Sequence, residues 1–292
     1  SNELNFIGAI MFFRRKDGYK IEVDPFSRFI PLIMKERNDA LVALNQEISL
    51  EPFDAYIRKV YDETGIRLSY MHIIYAAMAR TYREKPKINQ FIINGRYYMR
   101  NEIIISMVVK KEMTEDAAET TLKFKFKGDE TPLQVREILN KEIQAEKDTN
   151  TDGKNATDIF VKGLSKTPLF ILKFLVGSIK FLDKINMIPS SALEASPFHA
   201  SAFITNLGSI GLDAALHHIY NLGTIGAFLS IGKKGKKIVK KKDKFIEEKI
   251  MNIGFVIDER ICDGFYYAAA MRRFFRYLNN PEKLEEPVNL DD

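Results

Sequence analysis

A single cysteine in 292 residues leaves no intramolecular disulfide and no cysteine-rich metal site, and it suits a reducing, cytoplasmic setting. Histidine is nearly as scarce. His72, His199, His217 and His218 are the whole set, and none stands with other ligand-type residues at metal spacing, so no metal is expected. The chain has no N-terminal signal pattern, no internal repeat and no clear linker. Its most apolar run, LFILKFLVGSIKFL, is shorter than a bilayer span and carries Lys173, Gly177 and Lys180, which excludes a transmembrane helix. The net charge of +5 is mild and is concentrated in the run from Lys233 to Lys244, so no nucleic-acid partner is expected. Gly208 and Gly211 lack the downstream lysine of a phosphate-binding loop.

Hydrophobic residues at 46% and charged residues at 28% describe a globular chain with a sizeable core. Arg14 to Gly18 reads as a turn in a hairpin over residues 6–23. Asp24-Pro25 starts a helix with Phe26, Phe29, Ile30 and Ile33 on one face and Arg28 in its first turn. A strand follows from Leu41 to Ile48, then a helix from Glu51-Pro52 to Thr64. Ser69 caps a longer helix with Ile73, Ile74, Ala77 and Met78 inward. Strands are expected at Gln90–Ile93 and Ile103–Val109. Glu119 to Lys127 alternates, with Leu122, Phe124 and Phe126 on one side. Thr131-Pro132 opens a helix to Lys147, and Asp148 to Asp158 has loop composition.

Thr167-Pro168 then opens the apolar helix, expected in the core or at a subunit interface; a lid over an acyl group or a helix lying on a membrane surface are the other readings. Strands are expected at Phe198–Ile204, Ile219–Leu222, Thr224–Ile231 and Ile253–Ile257. Gly232 to Lys244 reads as a solvated lysine-rich turn, with docking of coenzyme A phosphates, anionic lipid or an acidic partner as the lesser reading. Asp263-Gly264 breaks the last strand before a helix carrying Phe265, Ala268, Met271 and Phe275. Pro281 to Asp292 reads as a frayed acidic tail. Strands interleaved with helices indicate an α/β domain with a mixed sheet.

The stretch from Val256 to Glu282 carries a resemblance. Asp258-Glu259-Arg260-Ile261-Cys262-Asp263-Gly264, closed by Asn280-Pro281-Glu282, resembles the HxxxDG signature of chloramphenicol acetyltransferases. It is most similar to the DHRVIDG segment of the acyltransferase core of 2-oxoacid dehydrogenase complexes, with Glu259 at the position of the family's catalytic histidine. Ile204-Thr205-Asn206-Leu207-Gly208 resembles the family's TISNLG segment, and Ala227 to Gly232 its AILGVG strand.

The resemblance implies a chloramphenicol-acetyltransferase-like two-layer α/β sandwich with a mixed sheet. One domain spans 1–292, with 148–195 as a loop-and-helix insertion and 283–292 as an acidic tail. It implies a homotrimer with the site between subunits, and coenzyme A or acyl-coenzyme A as substrate for transfer to a small-molecule acceptor. Thr205 takes the place of the hydroxyl that supports the oxyanion, Glu259 that of the base, and Asp263 is expected to pair with Arg28. A carboxylate at ordinary pKa is a weak base for a thiol near ~8.5, and burial would strengthen it. The alternative is a catalytically inactive binding or assembly protein that keeps the fold. Among the histidines, His72 reads as structural, while His199 or the His217-His218 pair could approach the site. Cys262 reads as a packing thiol.

Overall fold

A computed structural model describes residues 14–110, 119–151, 167–288 and 290. Its centre is a six-stranded mixed sheet in the order β2-β9-β8-β7-β5-β6, built from β2 (Leu41–Ser49), β5 (Ile103–Lys110), β6 (Glu119–Phe126), β7 (Ala202–Asn206), β8 (Ala227–Lys241) and β9 (Lys244–Asp258). Only β5–β7 and β7–β8 are parallel; the other neighbours are antiparallel. Helices α2 (Glu51–Thr64), α3 (Tyr70–Glu84), α4 (Pro132–Thr151) and α7 (Gly264–Asn279) form the second layer. Phe53, Ile74, Val135 and Phe274 bury against Ile105, Phe124, Ile204, Leu229, Ile253 and Phe255 of the sheet. This is the expected two-layer α/β architecture.

The alternation of side chains along a strand fixes what lies on each face. Ile204, Leu229 and Phe255 are register partners that point to the helices. Phe203, Phe228 and Val256 point the other way, into a second cluster with Ile219 and Ile225. Residues 212–226, in which Ile219–Leu222 was expected as a strand, are irregular chain. Ile219 and Ile225 bury over the sheet face instead of joining the ladder, so at those positions the correction concerns backbone and not burial.

Local signals set several helix starts. The Asp24 carboxylate accepts from the backbone of Phe26 and Ser27 at 3.0 Å to begin α1 (Pro25–Ile33), satisfying donors that a helix leaves free. At α3, the Ser69 side chain and the His72 ring form a reciprocal cap, with Ser69 N donating to His72 Nδ1 at 3.0 Å.

Other expectations are corrected. Of the hairpin over 6–23, residues 6–13 lie outside the described residues. β1 (Gly18–Lys20) pairs instead with β4 (Arg96–Arg100), a strand the sequence reading did not separate, and β3 (Gln90–Ile93) completes a three-stranded sheet. The lysine-rich turn is mostly strand. β8 and β9 run on together to a tight turn at Lys242, whose φ of 55° is left-handed. The loop expected from Asp148 begins as helix, since α4 extends to Thr151; the rest lies outside the described residues.

The tail is not frayed from Pro281. Pro281 and Leu284 are buried, and the buried Arg80 donates to the carbonyls of Leu284 and Glu286 at 3.2 and 2.9 Å. No described helix is long and apolar enough to cross a membrane. The apolar helix α5 (Leu169–Lys184), which precedes the short α6 (Ser190–Ala195), is not a core element of its own chain: Phe170 and Phe174 are 73% and 72% exposed.

Candidate functional site

The turn that follows β9 is held by a buried ion pair. Arg260 donates through Nε and Nη2 to the two oxygens of Asp258 at 2.8 and 2.7 Å, with side-chain exposures of 3% and 2%. Its Nη1 reaches the carbonyls of Met34 and Lys35 at 3.1 Å, which ties the turn to the end of α1. Tyr97 Oη donates to the Arg260 carbonyl and Tyr267 Oη to that of Asp258, both at 2.8 Å. Glu259 stands between the paired residues with its backbone N–H on Ala40 O at 3.0 Å. Its side chain is exposed. The turn is rigid, and the carboxylate it presents is free of any hydrogen bond or ion pair among the described residues.

Asp263 and Arg28 do not form the expected pair. Asp263 caps α7 by accepting from Tyr266 N at 2.9 Å, and Arg28 is exposed on α1 with no ion pair among the described residues. The physical reason is economy of partners. A helix start already offers Asp263 unsatisfied N–H groups, and the cation that locks the turn is Arg260, two residues from its carboxylate. A pairing of Asp and Arg across one intervening residue at a strand end was the signal available in the sequence.

Glu259 opens onto a cavity of about 650 Å³ between α1, β2 and α7. Its walls are mainly apolar, including Phe26, Ile30, Met34, Leu44, Met271 and Phe275, and Arg272 is the exposed cation among its lining residues. The cavity lies on the helix side of the sheet, because Val42 and Leu44, which line it, are register partners of Ile257 and Phe255. Cys262 also lines it, and burial raises its thiol pKa to about 12, which makes it a packing group and not a nucleophile.

Thr205 lies elsewhere. It pairs with Ser230, which pairs with Gly254, and this row has the parity of Phe203, Phe228 and Val256, away from the helices. Glu259 is five residues beyond Gly254 on a strand two positions across the sheet. At ~3.3 Å per residue and ~4.8 Å per strand the separation is roughly 19 Å, and the two open on opposite faces. One chain therefore does not bring its own Thr205 and Glu259 together. The turn after Thr205 is fixed by close backbone contact: a Cβ on Gly208 would lie 2.5 Å from the Gly232 carbonyl oxygen.

The histidines divide between the two faces. His217 stacks on Phe228 with ring centroids 4.1 Å apart, so it is on the Thr205 side. His72 belongs to the α3 cap. His199 is buried, with Nδ1 2.7 Å from Ser196 Oγ and Nε2 3.3 Å from Asp183 Oδ2. Burial lowers its pKa despite Asp183, whose carboxylate Arg15 also holds at 2.5 Å. Among the described residues no three metal-ligating side chains converge.

Residues 190–285 match the model of the 2-oxoacid dehydrogenases acyltransferase (catalytic domain) family. No curated protein sequence matches the chain significantly. Among solved structures, a probable dihydrolipoamide acetyltransferase from Listeria monocytogenes 4b F2365 is similar at 15% identity, over 91% of this chain and 95% of that one, with a TM-score of 0.52. The cubic core of the pyruvate dehydrogenase multienzyme complex is similar at 15% identity, over 91% and 94%, with a TM-score of 0.54. The dihydrolipoamide acetyltransferase of Azotobacter vinelandii is similar at 16% identity, over 91% and 94%, with a TM-score of 0.50. The chain thus has the fold of the dihydrolipoamide acetyltransferase cores, and its residues 190–285 match the catalytic-domain model of the 2-oxoacid dehydrogenase acyltransferases.

Proposed function

We propose that the protein is a coenzyme A-dependent acyltransferase, a single unit over residues 1–292, whose site forms between subunits of a homotrimer. Glu259 of one subunit then faces Thr205 of the next. The observation that carries this reading is the sheet parity: both residues lie in the stretch matched by the catalytic-domain model, yet they open on opposite faces. Each chain offers two halves of a site, and a cyclic assembly joins unlike halves. In the Azotobacter vinelandii enzyme a serine, a histidine and an asparagine have been investigated for their role in the catalytic mechanism, the last two four positions apart. Glu259 and Asp263 have that spacing here.

The acceptor's thiol or hydroxyl gives its proton to Glu259 as it attacks the thioester carbonyl of an acyl-coenzyme A. The oxyanion that forms takes a hydrogen bond from the Thr205 hydroxyl. Collapse expels the coenzyme A thiolate, which recovers the proton. A neighbouring subunit closing over the apolar cavity excludes water from Glu259, which strengthens a carboxylate as a base. His217, on the Thr205 face, is the imidazole best placed to assist.

The second reading, an inactive binding or assembly protein, is favoured by the lack of any described group that orients the Glu259 carboxylate. Turnover of acetyl-coenzyme A by a thiol acceptor, with calorimetry for coenzyme A binding, separates the two. The wild type is expected to be slow. Glu259→Gln should abolish its turnover, and Glu259→His should raise it toward the roughly 100-fold to 10,000-fold contribution of a matched proton-transfer group. If neither substitution changes the rate and coenzyme A gives no heat, the inactive reading stands.

A further inference from the structure

The least explained element is α5. Along its first three turns Leu169, Phe170, Phe174, Leu175, Val176 and Ile179 are all exposed. Successive residues on a helix are about 100° apart, so these side chains surround most of its circumference. The polar remainder is narrow. Lys173, Lys180 and Lys184 are spaced seven and four apart in the sequence and fall within roughly 40° of one another. The single acid of the helix, Asp183, is buried and turned inward to Arg15 and His199. What the helix presents outward is therefore apolar surface with one cationic stripe.

Beside its C-terminal end lies a second cavity, of about 550 Å³, bounded by α1 and the end of α5. It is lined by Lys35, Arg37, Lys180, Lys184 and Arg260, against Glu36 and Asp183. Both acids are already engaged: Glu36 in the cap before residues 37–40 and with Asn221, and Asp183 as above. Arg260 is neutralised by Asp258. Arg37 is buried and, among the described residues, its one hydrogen-bond acceptor is the carbonyl of Asn221, at 3.3 Å. Burial holds its pKa down to about 10, with Asp258 opposing and Arg260 adding to the effect.

We propose that α5 lies in the interfacial plane of an anionic membrane, its phenylalanines and leucines among the acyl chains and its lysines at headgroup level. The basic cavity beside Lys180 and Lys184 takes a lipid phosphate. Charge decides the occupant. At a lipid surface the exposed phenylalanines and leucines of α5 enter the acyl boundary while its basic stripe stays at the headgroups. Lysine stems cover apolar surface while their ammonium groups stay at the phosphate level. A second copy pairing through the same helix would set lysine against lysine, because α5 exposes no carboxylate. At 16 residues, or roughly 24 Å, it is too short to span.

The chain contains no tryptophan, so Phe174→Trp installs a single reporter. Its emission is expected to shift to the blue on phosphatidylglycerol-containing vesicles and much less on phosphatidylcholine alone. The unsubstituted protein should co-sediment with the same vesicles. Replacing Lys173, Lys180 and Lys184 together by glutamine should weaken binding about 100-fold, roughly fivefold per lysine, and added salt should do the same. These exposed substitutions leave the core untouched. Equal binding to neutral and anionic vesicles, or none to either, overturns the proposal. So does a reporter already blue without lipid, which would place the helix against protein. None of these outcomes depends on acyl transfer.

Discussion

Removing the Asp258 carboxylate should unfold the region that presents Glu259. In Asp258→Ala the Arg260 guanidinium stays buried, keeps two carbonyl acceptors on Met34 and Lys35, and loses both charge-assisted bonds at 2.8 and 2.7 Å. A buried charge deprived of its partner costs about 3–5 kcal/mol, far more than the pair contributes over an apolar substitute. At roughly 2–4 °C per kcal/mol for a chain of this size, the midpoint of thermal unfolding should fall by roughly 6–20 °C. The double variant Asp258→Ala with Arg260→Met removes the orphan charge, so it should cost about 2 kcal/mol less than the sum of the two single changes. Urea unfolding followed by circular dichroism gives all four corners of the cycle. An Asp258→Ala cost below about 1 kcal/mol, or strict additivity, would refute the claim that this pair locks the turn.

The ring of His72 accepts from Ser69 N, and burial, with a smaller effect from Arg136, holds its pKa down to about 4. The unfolded ring, near ~6.5, binds a proton that the folded ring refuses. Stability should therefore fall as pH drops from about 6.5 toward 4 and level off below, by about 1–2 kcal/mol once its partial exposure is discounted. His72→Gln, which keeps an acceptor for the cap, should flatten that part of the profile. Gly208→Ala pushes a methyl against the Gly232 backbone and should cost about 1–3 kcal/mol in urea unfolding; a neutral result would mean the Thr205 turn is not held by that contact.

The helix starts at Asp24 and Ser69 were legible because caps are local chemistry, written within four residues. The inward row Leu122, Phe124 and Phe126 was legible because the helix layer covers one face of β6. Where the surroundings are not half-dry, the pattern disappears. The outer arms of β8 and β9 have exposed side chains on both faces, so their lysines read as a turn although the backbone is fully paired. β4 was hidden by the reverse effect. Its Arg100 is buried, held by Thr224 O and Oγ1 at 3.0 and 2.8 Å, and a charged residue at an inward position erases the apolar alternation.

The candidate site shows the deeper limit. The motif match placed Glu259 and Thr205 in one site, and both segments are where the match puts them along the chain. Parity is what the match left out. In an extended strand every second side chain crosses to the other face, so it takes the register Thr205–Ser230–Gly254 to place the hydroxyl on the side away from the Glu259 cavity. Register belongs to the pairing of three separate segments and has no local signature near either motif. An assembly then follows from the geometry if the chemistry is to operate, because roughly 19 Å and a closed sheet cannot be bridged by side-chain rotation. Dilution of the active protein to the point of dissociation should extinguish turnover while coenzyme A added to an intact assembly preserves it. Activity per subunit that stays constant down to the monomer would mean that Glu259 and Thr205 do not act together.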